Sequence, residues 1–295
     1  MDKKLASIYD YFAIFGYFPK FEDIYTFFPV KISKKQLKKQ IKANNYTVGE
    51  YSNIRNPQSA IKQLKNYELR ITNSKKKLEN WRFRAYIKLI SIFPQIKLIG
   101  LSGSISMMNA DKDDDIDLFV ITGKNRLFTA RFVAITIAFI MGLKRALGQD
   151  KAVDKVCLNL FFDEENLSVP KFKKTLFVAH EILQMKPLIN KNKVYERFLA
   201  ANNWVFKLFP NAKSQIINHK SQINFKHLKF KTLNLFGAWN LRFSIFDTLE
   251  SFLKNLQLKL INRHITTEII TDTQLWFHPD DFGKKISLNE IKELQ

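Results

Sequence analysis

The chain has 295 residues, 46% of them hydrophobic and 14% aromatic, with 9 Gly and 8 Pro. That excludes disordered, collagen-like and Pro-rich classes and leaves a globular protein large enough to bury a sizeable core. A single cysteine, Cys157, excludes an internal disulfide framework and a Cys-based zinc site. Lys and Arg number 48 against 27 Asp and Glu, a net +21, which points to a polyanionic partner. Part of that excess is the Lys, Ile, Asn and Phe bias that an AT-rich genome imposes on exposed positions.

The opening residues, Met1-Asp2-Lys3-Lys4-Leu5, lack the apolar run of a secretory leader. The longest apolar stretch, Phe132 to Leu143, falls short of the roughly 20 residues a membrane span needs, so a buried core helix is expected there. No transmembrane segment and a reducing, cytoplasmic setting are expected.

Residues 1–56 read as a small helical unit. Leu5 to Phe15 carries Leu5, Ile8, Tyr9, Phe12 and Phe15 on one helical face and stops at Gly16. A second short helix runs from Phe21 to Phe28, ahead of Pro29. Ser33 suits the N-cap of a third, Lys34 to Ala43, with Leu37 and Ile41 inward and five lysines elsewhere. A short extended ribbon, Tyr46 to Tyr51, follows. Three helices and a ribbon, the third helix basic, form a winged-helix-like pattern whose third helix would dock on nucleic acid. Protein interaction and plain packing are the other readings. From 57 to 92 a polar helical connector is expected, with Lys75-Lys76-Lys77 and Trp81-Arg82-Phe83-Arg84.

The segment Ile96 to Thr122 carries the chemistry. An apolar strand, Ile96 to Leu101, runs into Ser102-Gly103-Ser104 and a helical turn. Ten residues later comes Asp115-Ile116-Asp117-Leu118-Phe119-Val120-Ile121. Alternate side chains of a strand share a face, so Asp115 and Asp117 project together, about 7 Å apart along the chain. Two such carboxylates suit one or two Mg²⁺ ions, which take carboxylate plus substrate phosphate oxygens. Gly103 and Ser104 let backbone N–H groups, a hydroxyl and a helix start approach a phosphate chain. Asp111, Asp113 and Asp114 read as solvated loop residues.

This combination resembles the signature of the DNA polymerase β-like nucleotidyltransferase superfamily, over roughly residues 90–184. The resemblance implies an α+β fold: a mixed-sheet nucleotidyltransferase core over 93–186, flanked by the winged-helix-like unit and by a helical C-terminal region over 187–295. It implies an enzyme that moves a nucleoside monophosphate from an NTP such as ATP to an acceptor hydroxyl, releasing pyrophosphate. Asp115 and Asp117 would hold Mg²⁺ (or Mn²⁺), and Gly103 and Ser104 would cradle the β- and γ-phosphates. Lys124, Arg126 and Arg131 would neutralise phosphate charge. The family's third carboxylate comes from a later strand, here Lys155 to Phe162, whose interior polar residue is Asn159. Asn159 then occupies the third-acid position as a member of the catalytic set, although an amide cannot take a proton. Asp154 and Asp163 are the substitutes just outside that strand.

Two helices, around Ala179–Met185 and Tyr195–Trp204, are expected to pack on the core. His180 is read as a helix-surface residue, with a place for His180 and Glu181 beside the nucleotide as the other reading. Charge concentrates in two stretches that each net +8: Lys31 to Lys65, and Trp204 to Arg263, the latter read as basic amphipathic helices. Nucleic acid, RNA favoured, is therefore the expected acceptor. A protein or small-molecule acceptor is the first alternative. A non-catalytic nucleotide- or nucleic-acid-binding regulator is the second.

Overall fold

The computed structural model describes residues 3–44, 57–144, 153–214, 243–261 and 268–277. The N-terminal helices form as expected: α1 (Lys3–Ile14), α2 (Phe21–Thr26) and α3 (Lys34–Ala43). Ser33 caps α3 in a capping box with Gln36, accepting its N–H at 3.2 Å. The ribbon expected at Tyr46–Tyr51 lies outside the described residues. The connector is two helices, α4 (Pro57–Glu79) and α5 (Trp81–Ile92), because Asn80 breaks the run and caps α5 by accepting Arg82 N–H at 2.9 Å.

The remaining elements are β1 (Ile96–Leu101), α6 (Gly103–Ser106), β2 (Ile116–Thr122), α7 (Leu127–Ile140), β3 (Val156–Asp163), a 3₁₀ turn at Lys171–Lys173, α8 (Leu176–Gln184), β4 (Lys186–Asn190), α9 (Val194–Ala201), α10 (Val205–Leu208), α11 (Phe243–Ile261), β5 (Ile269–Ile270) and β6 (Gln274–Trp276). The protein is α+β, with a mixed open sheet in the order β4-β1-β2-β3-β6-β5. Among the described strands only β2 and β3 run parallel; every other neighbouring pair is antiparallel. A parallel neighbour needs a long crossover, which α7 supplies.

The region from 187 onward is not purely helical, since β4, β5 and β6 complete the sheet on both flanks. β4 takes an outer position beside β1, where Pro187 is tolerated because an edge strand need not donate every N–H. The apolar helix α7 is buried only on its Leu127, Phe128, Ala130, Ala134 and Ala138 side. Phe132, Phe139 and Ile140 are exposed, because the crossover helix lays one stripe on the sheet and leaves the other outward. Likewise, of Leu249, Phe252, Leu253 and Leu256 on α11, only Leu253 is buried. Among the described residues, no helix is long and apolar enough to cross a membrane.

Strand alternation sorts the core into two layers. Ile99, Leu101, Leu118, Val120 and Phe161 face α5, α7 and α11. Leu98, Phe119, Ile121 and Phe162 face the other way and share one apolar cluster with α1, α2, α3, α8 and α9. The N-terminal helices are thus part of the molecule's core. His180 lies at their junction, buried and not on a helix surface. Its ring stacks 3.6 Å from Tyr11 and 4.0 Å from Phe27, with Phe12 and Phe209 edge-on. Asn211, fully buried, locks the same junction by donating to Phe28 and Val30 carbonyls and accepting Ile32 N–H.

Candidate active site

β2 and β3 build the site. In register, Asp117 stands beside Cys157 and Leu118 beside Leu158, but Phe119 pairs with Leu160. One residue of β3, Asn159, is left over. Asn159, two residues beyond Cys157, is on the same acidic face of β3, and its Nδ2 donates to Asp117 Oδ1 at 2.5 Å. Its carbonyl accepts Phe277 N–H on the side away from β2, at 2.9 Å. Cys157 Sγ donates to Asn159 Oδ1 at 2.6 Å. Asp115 precedes β2, and one ligand atom each from Asp115, Asp117 and Cys157 lie within 4.8 Å of one another.

The turn after β1 closes over these acids. Gly103 has φ +60°, and a Cβ there would lie 2.3 Å from Asp117 Oδ2, so glycine serves both the left-handed backbone and the close approach. Ser104 Oγ donates to Asp114 Oδ2 at 2.9 Å, and the same oxygen accepts Asp111 N–H at 2.9 Å. Asp114 is therefore a structural acceptor and not a solvated loop residue.

The loop is held from outside by a polar stripe that sequence reading missed. Arg70, Ser74 and Lys77 stand at i, i+4 and i+7 on one face of α4. Arg70 donates to Phe15 and Gly16 carbonyls, to Asn109 Oδ1 and to Asp111. Ser74 Oγ accepts Ala110 N–H at 3.0 Å. Buried Lys77 donates to the Lys112 carbonyl at 2.8 Å, the Asp114 carbonyl at 2.7 Å and Asp154 at 3.2 Å. Helical spacing of donors was the available signal. The run Lys75-Lys76-Lys77 reads as uniformly solvated unless the face of each residue is tracked.

Glu181 adds a further carboxyl. From α8 it accepts Gly103 N–H, and burial raises it to about 7 despite that bond. Burial also pushes Asp117 well above the ordinary carboxylate range. The neighbouring Asp115, Glu181 and Asp114 charges add to this, and the Asn159 bond opposes it. Burial, then the charges of Asp117 and Asp115, raise the Cys157 thiol and keep it protonated.

The structure brings Asp115, Asp117, Asn159, Gly103 and Ser104 together. It does not bring Lys124 and Arg126 to them. Both follow the far end of β2, about 20 Å from Asp117 at 3.3 Å per residue. There Lys124 pairs with Glu165 at 3.3 Å and Arg126 with Asp247 at 2.7 Å. Arg131 is structural as well: half-buried, lowered to about 10 by desolvation, bonded to Gln257 and stacked 4.8 Å over Phe277. Asp163 lies at the far end of β3, accepting Asn125 and Glu165 N–H groups, and Asp154 is held by Lys77. Neither substitutes at the third-acid position.

On α3, Lys34, Lys35, Lys38, Lys39 and Lys42 are all exposed. Half of the second basic stretch, with six of its ten basic residues, and His278 lie outside the described residues. No family model, no curated protein and no solved structure matches the chain.

Proposed function

We propose that the protein is a metal-dependent nucleotidyltransferase that moves a nucleoside monophosphate from an NTP to an acceptor hydroxyl, with RNA as the acceptor. The observation that carries this reading is the contact of the Gly103 turn with the acidic strand. The backbone of a helix-starting turn packs directly against the acidic strand that carries the two carboxylates.

The donor set fits a hard divalent ion: Asp115 and Asp117 would hold Mg²⁺ or Mn²⁺, with the neutral Cys157 thiol beside them as a non-ligand. When bound, such an ion offsets phosphate charge and lowers the pKa of a coordinated hydroxyl. Asn159 orients Asp117 through its amide. The Gly103 N–H and the Ser104 hydroxyl are bonded to Glu181 and Asp114, so a phosphate chain would exchange for these carboxylates. Glu181, near neutral pKa and touching the turn, can release or hold a proton at little cost around pH 7. The exposed lysines of α3, with no acid between Lys31 and Asn44, suit a phosphate backbone and support RNA over a small acceptor.

One observation favours a second reading, a regulator that binds nucleotide without turnover. Asn159 cannot act as the third acid, and it occupies an oxygen of Asp117. A transfer assay decides between them. Protein is mixed with each α-labelled NTP, Mg²⁺ or Mn²⁺ and RNA, with Asp115→Asn/Asp117→Asn as control. Label entering RNA and vanishing in the control is expected. Nucleotide binding without transfer would replace the first reading by the second, and label on protein would change the acceptor.

A further inference from the structure

Nine of the thirteen large hydrophobic side chains exposed among the described residues sit on α5, α7 and α11. Helix α7 packs against both of the others, so the three form one layer over the sheet face opposite the N-terminal helices. On α11 the exposed Leu249, Phe252, Leu256 and Leu260 fall at i, i+3, i+7 and i+11, which is a single stripe. On α7 the stretch Phe132 to Ile140 has Thr136 as its one polar side chain. The guanidinium of Arg82 lies beside Gly142, so the Trp81 end of α5 and the Phe139–Ile140 end of α7 are neighbours. Trp81, Phe139, Ile140 and Phe252 are 62% to 75% exposed, so little among the described residues covers them.

An apolar face shared by adjacent helices marks a contact with protein or membrane, and here charge decides between them. Helices α5 and α7 carry no acid, and both acids of α11 are committed to the start of α7. Asp247 pairs with Arg126 at 2.7 Å, and Glu250 accepts the Phe128 and Thr129 N–H groups. The remaining exposed charges of these helices, Arg82, Lys88 and Lys259, are all basic, in a chain of net +21. A second copy would set like charges against one another with no free acid to pair them. A protein partner asks for about one hydrogen bond per 100–200 Å² of interface, and the outer side of α7 offers Thr136 alone. An anionic bilayer needs neither: its acyl boundary takes the rings and aliphatic side chains, and its headgroups take the cations. We propose that the outer face of α5, α7 and α11 rests on an anionic phospholipid surface, within the headgroup layer and without crossing it. The exposed lysines of α3 belong to the opposite layer, so a polyanion there and a membrane here would not compete.

The test is cosedimentation of the full chain with vesicles of phosphatidylcholine, alone or mixed with phosphatidylglycerol, over a salt series. Phe139→Ser/Phe252→Ser keeps every charge and removes two exposed rings, whereas Arg82→Gln/Lys88→Gln/Lys259→Gln keeps the rings. Wild type should bind the mixed vesicles and bind phosphatidylcholine weakly. Part of the binding to mixed vesicles should persist at about 1 M salt, where charges are screened within roughly 3 Å. The ring variant should lose about tenfold or more in partition to mixed vesicles, together with the salt-resistant part. The charge variant should lose about fivefold for each cation removed at low salt. A ring variant that binds as wild type does would overturn the proposal, since net charge alone then holds the protein on lipid. A wild-type dimer in lipid-free light scattering that the ring variant turns into a monomer would overturn it too, because a second copy then covers the face. So would a monomeric wild type that binds no vesicles. Should the ring variant fail to melt as wild type does, Phe139→Ser alone repeats the comparison.

Discussion

The tightest constraint in the site is at Gly103, where the acidic strand leaves no room for a side chain. Gly103→Ala meets a left-handed backbone penalty of about 1–2 kcal/mol and must also displace the Asp117 carboxylate. The expected result is a lower melting temperature and loss of Mn²⁺ binding, followed by electron paramagnetic resonance. Asn159→Asp addresses the neighbouring question of charge. A third carboxylate beside Asp117, already pushed toward its neutral form, should destabilise the metal-free protein by roughly 1–3 kcal/mol. Added Mn²⁺ should restore that stability and bind more tightly than in wild type. Melting in chelator against melting in Mn²⁺ checks both signs. These residues were legible in the sequence because strand alternation and the Gly-Ser turn fix them locally. Cys157 was less so, and the bulge that pairs Phe119 with Leu160 and leaves Asn159 over depends on how β3 pairs with β2 and β6.

At the scale of elements, α8 joins two environments through adjacent residues. His180 enters the aromatic junction with the N-terminal helices, while Glu181 meets Gly103. Their linkages to pH have opposite signs. The carboxyl of Glu181 is raised from 4.5 to about 7, so its contribution to stability is complete below the lower value and lost as pH rises through the upper. That slope amounts to roughly 3 kcal/mol and should vanish in Glu181→Gln, as denaturant titrations from pH 4.5 to 7.5 in chelator would read. Burial holds His180 well below the ordinary imidazole value, so the folded state binds fewer protons than the unfolded one and stability falls as pH drops below about 6.5. His180 Nδ1 has no partner, and His180→Phe keeps the stacking while removing that buried polar atom. The variant should be about 1–2 kcal/mol more stable than wild type at pH 5.5, with little of the acid-side slope. Helix α8 itself is readable from the sequence, but helical periodicity places His180 on its surface and not in the core. What buries it are side chains from positions 11, 27 and 209, which no local pattern brings together. The short strands β4, β5 and β6 escaped for a related reason: two to five residues carry too little periodicity, and sheet pairing decides them.

For the molecule as a whole, the question is how a basic surface relates to the acidic site. The N-terminal helices share one apolar cluster with the sheet face that carries Asp117, Asn211 locks the segment before α3, and Arg70 joins the end of α1 to the acidic loop. A polyanion on α3 would therefore be held at a fixed distance from the carboxylates, not on a separately moving module. Net charge alone could not say this, because genome bias raises lysine content everywhere. The placement of Lys35, Lys38, Lys39 and Lys42 on one exposed helix without an intervening acid is the more specific fact. If RNA lies there, replacing these four by Gln removes counterion release for as many phosphates as they contact. The slope of log affinity against log salt should fall by about 0.7 for each lost contact on a single strand. With all four engaged, the weakening at low salt should approach two to three orders of magnitude. Fluorescence anisotropy with a labelled RNA over a salt series measures both quantities, and NTP affinity should not move, since α3 supplies none of the residues gathered at the acidic strand and its turn. An unchanged salt slope would assign the lysines to solvation and move RNA recognition off α3, leaving the acidic strand and its turn as they are.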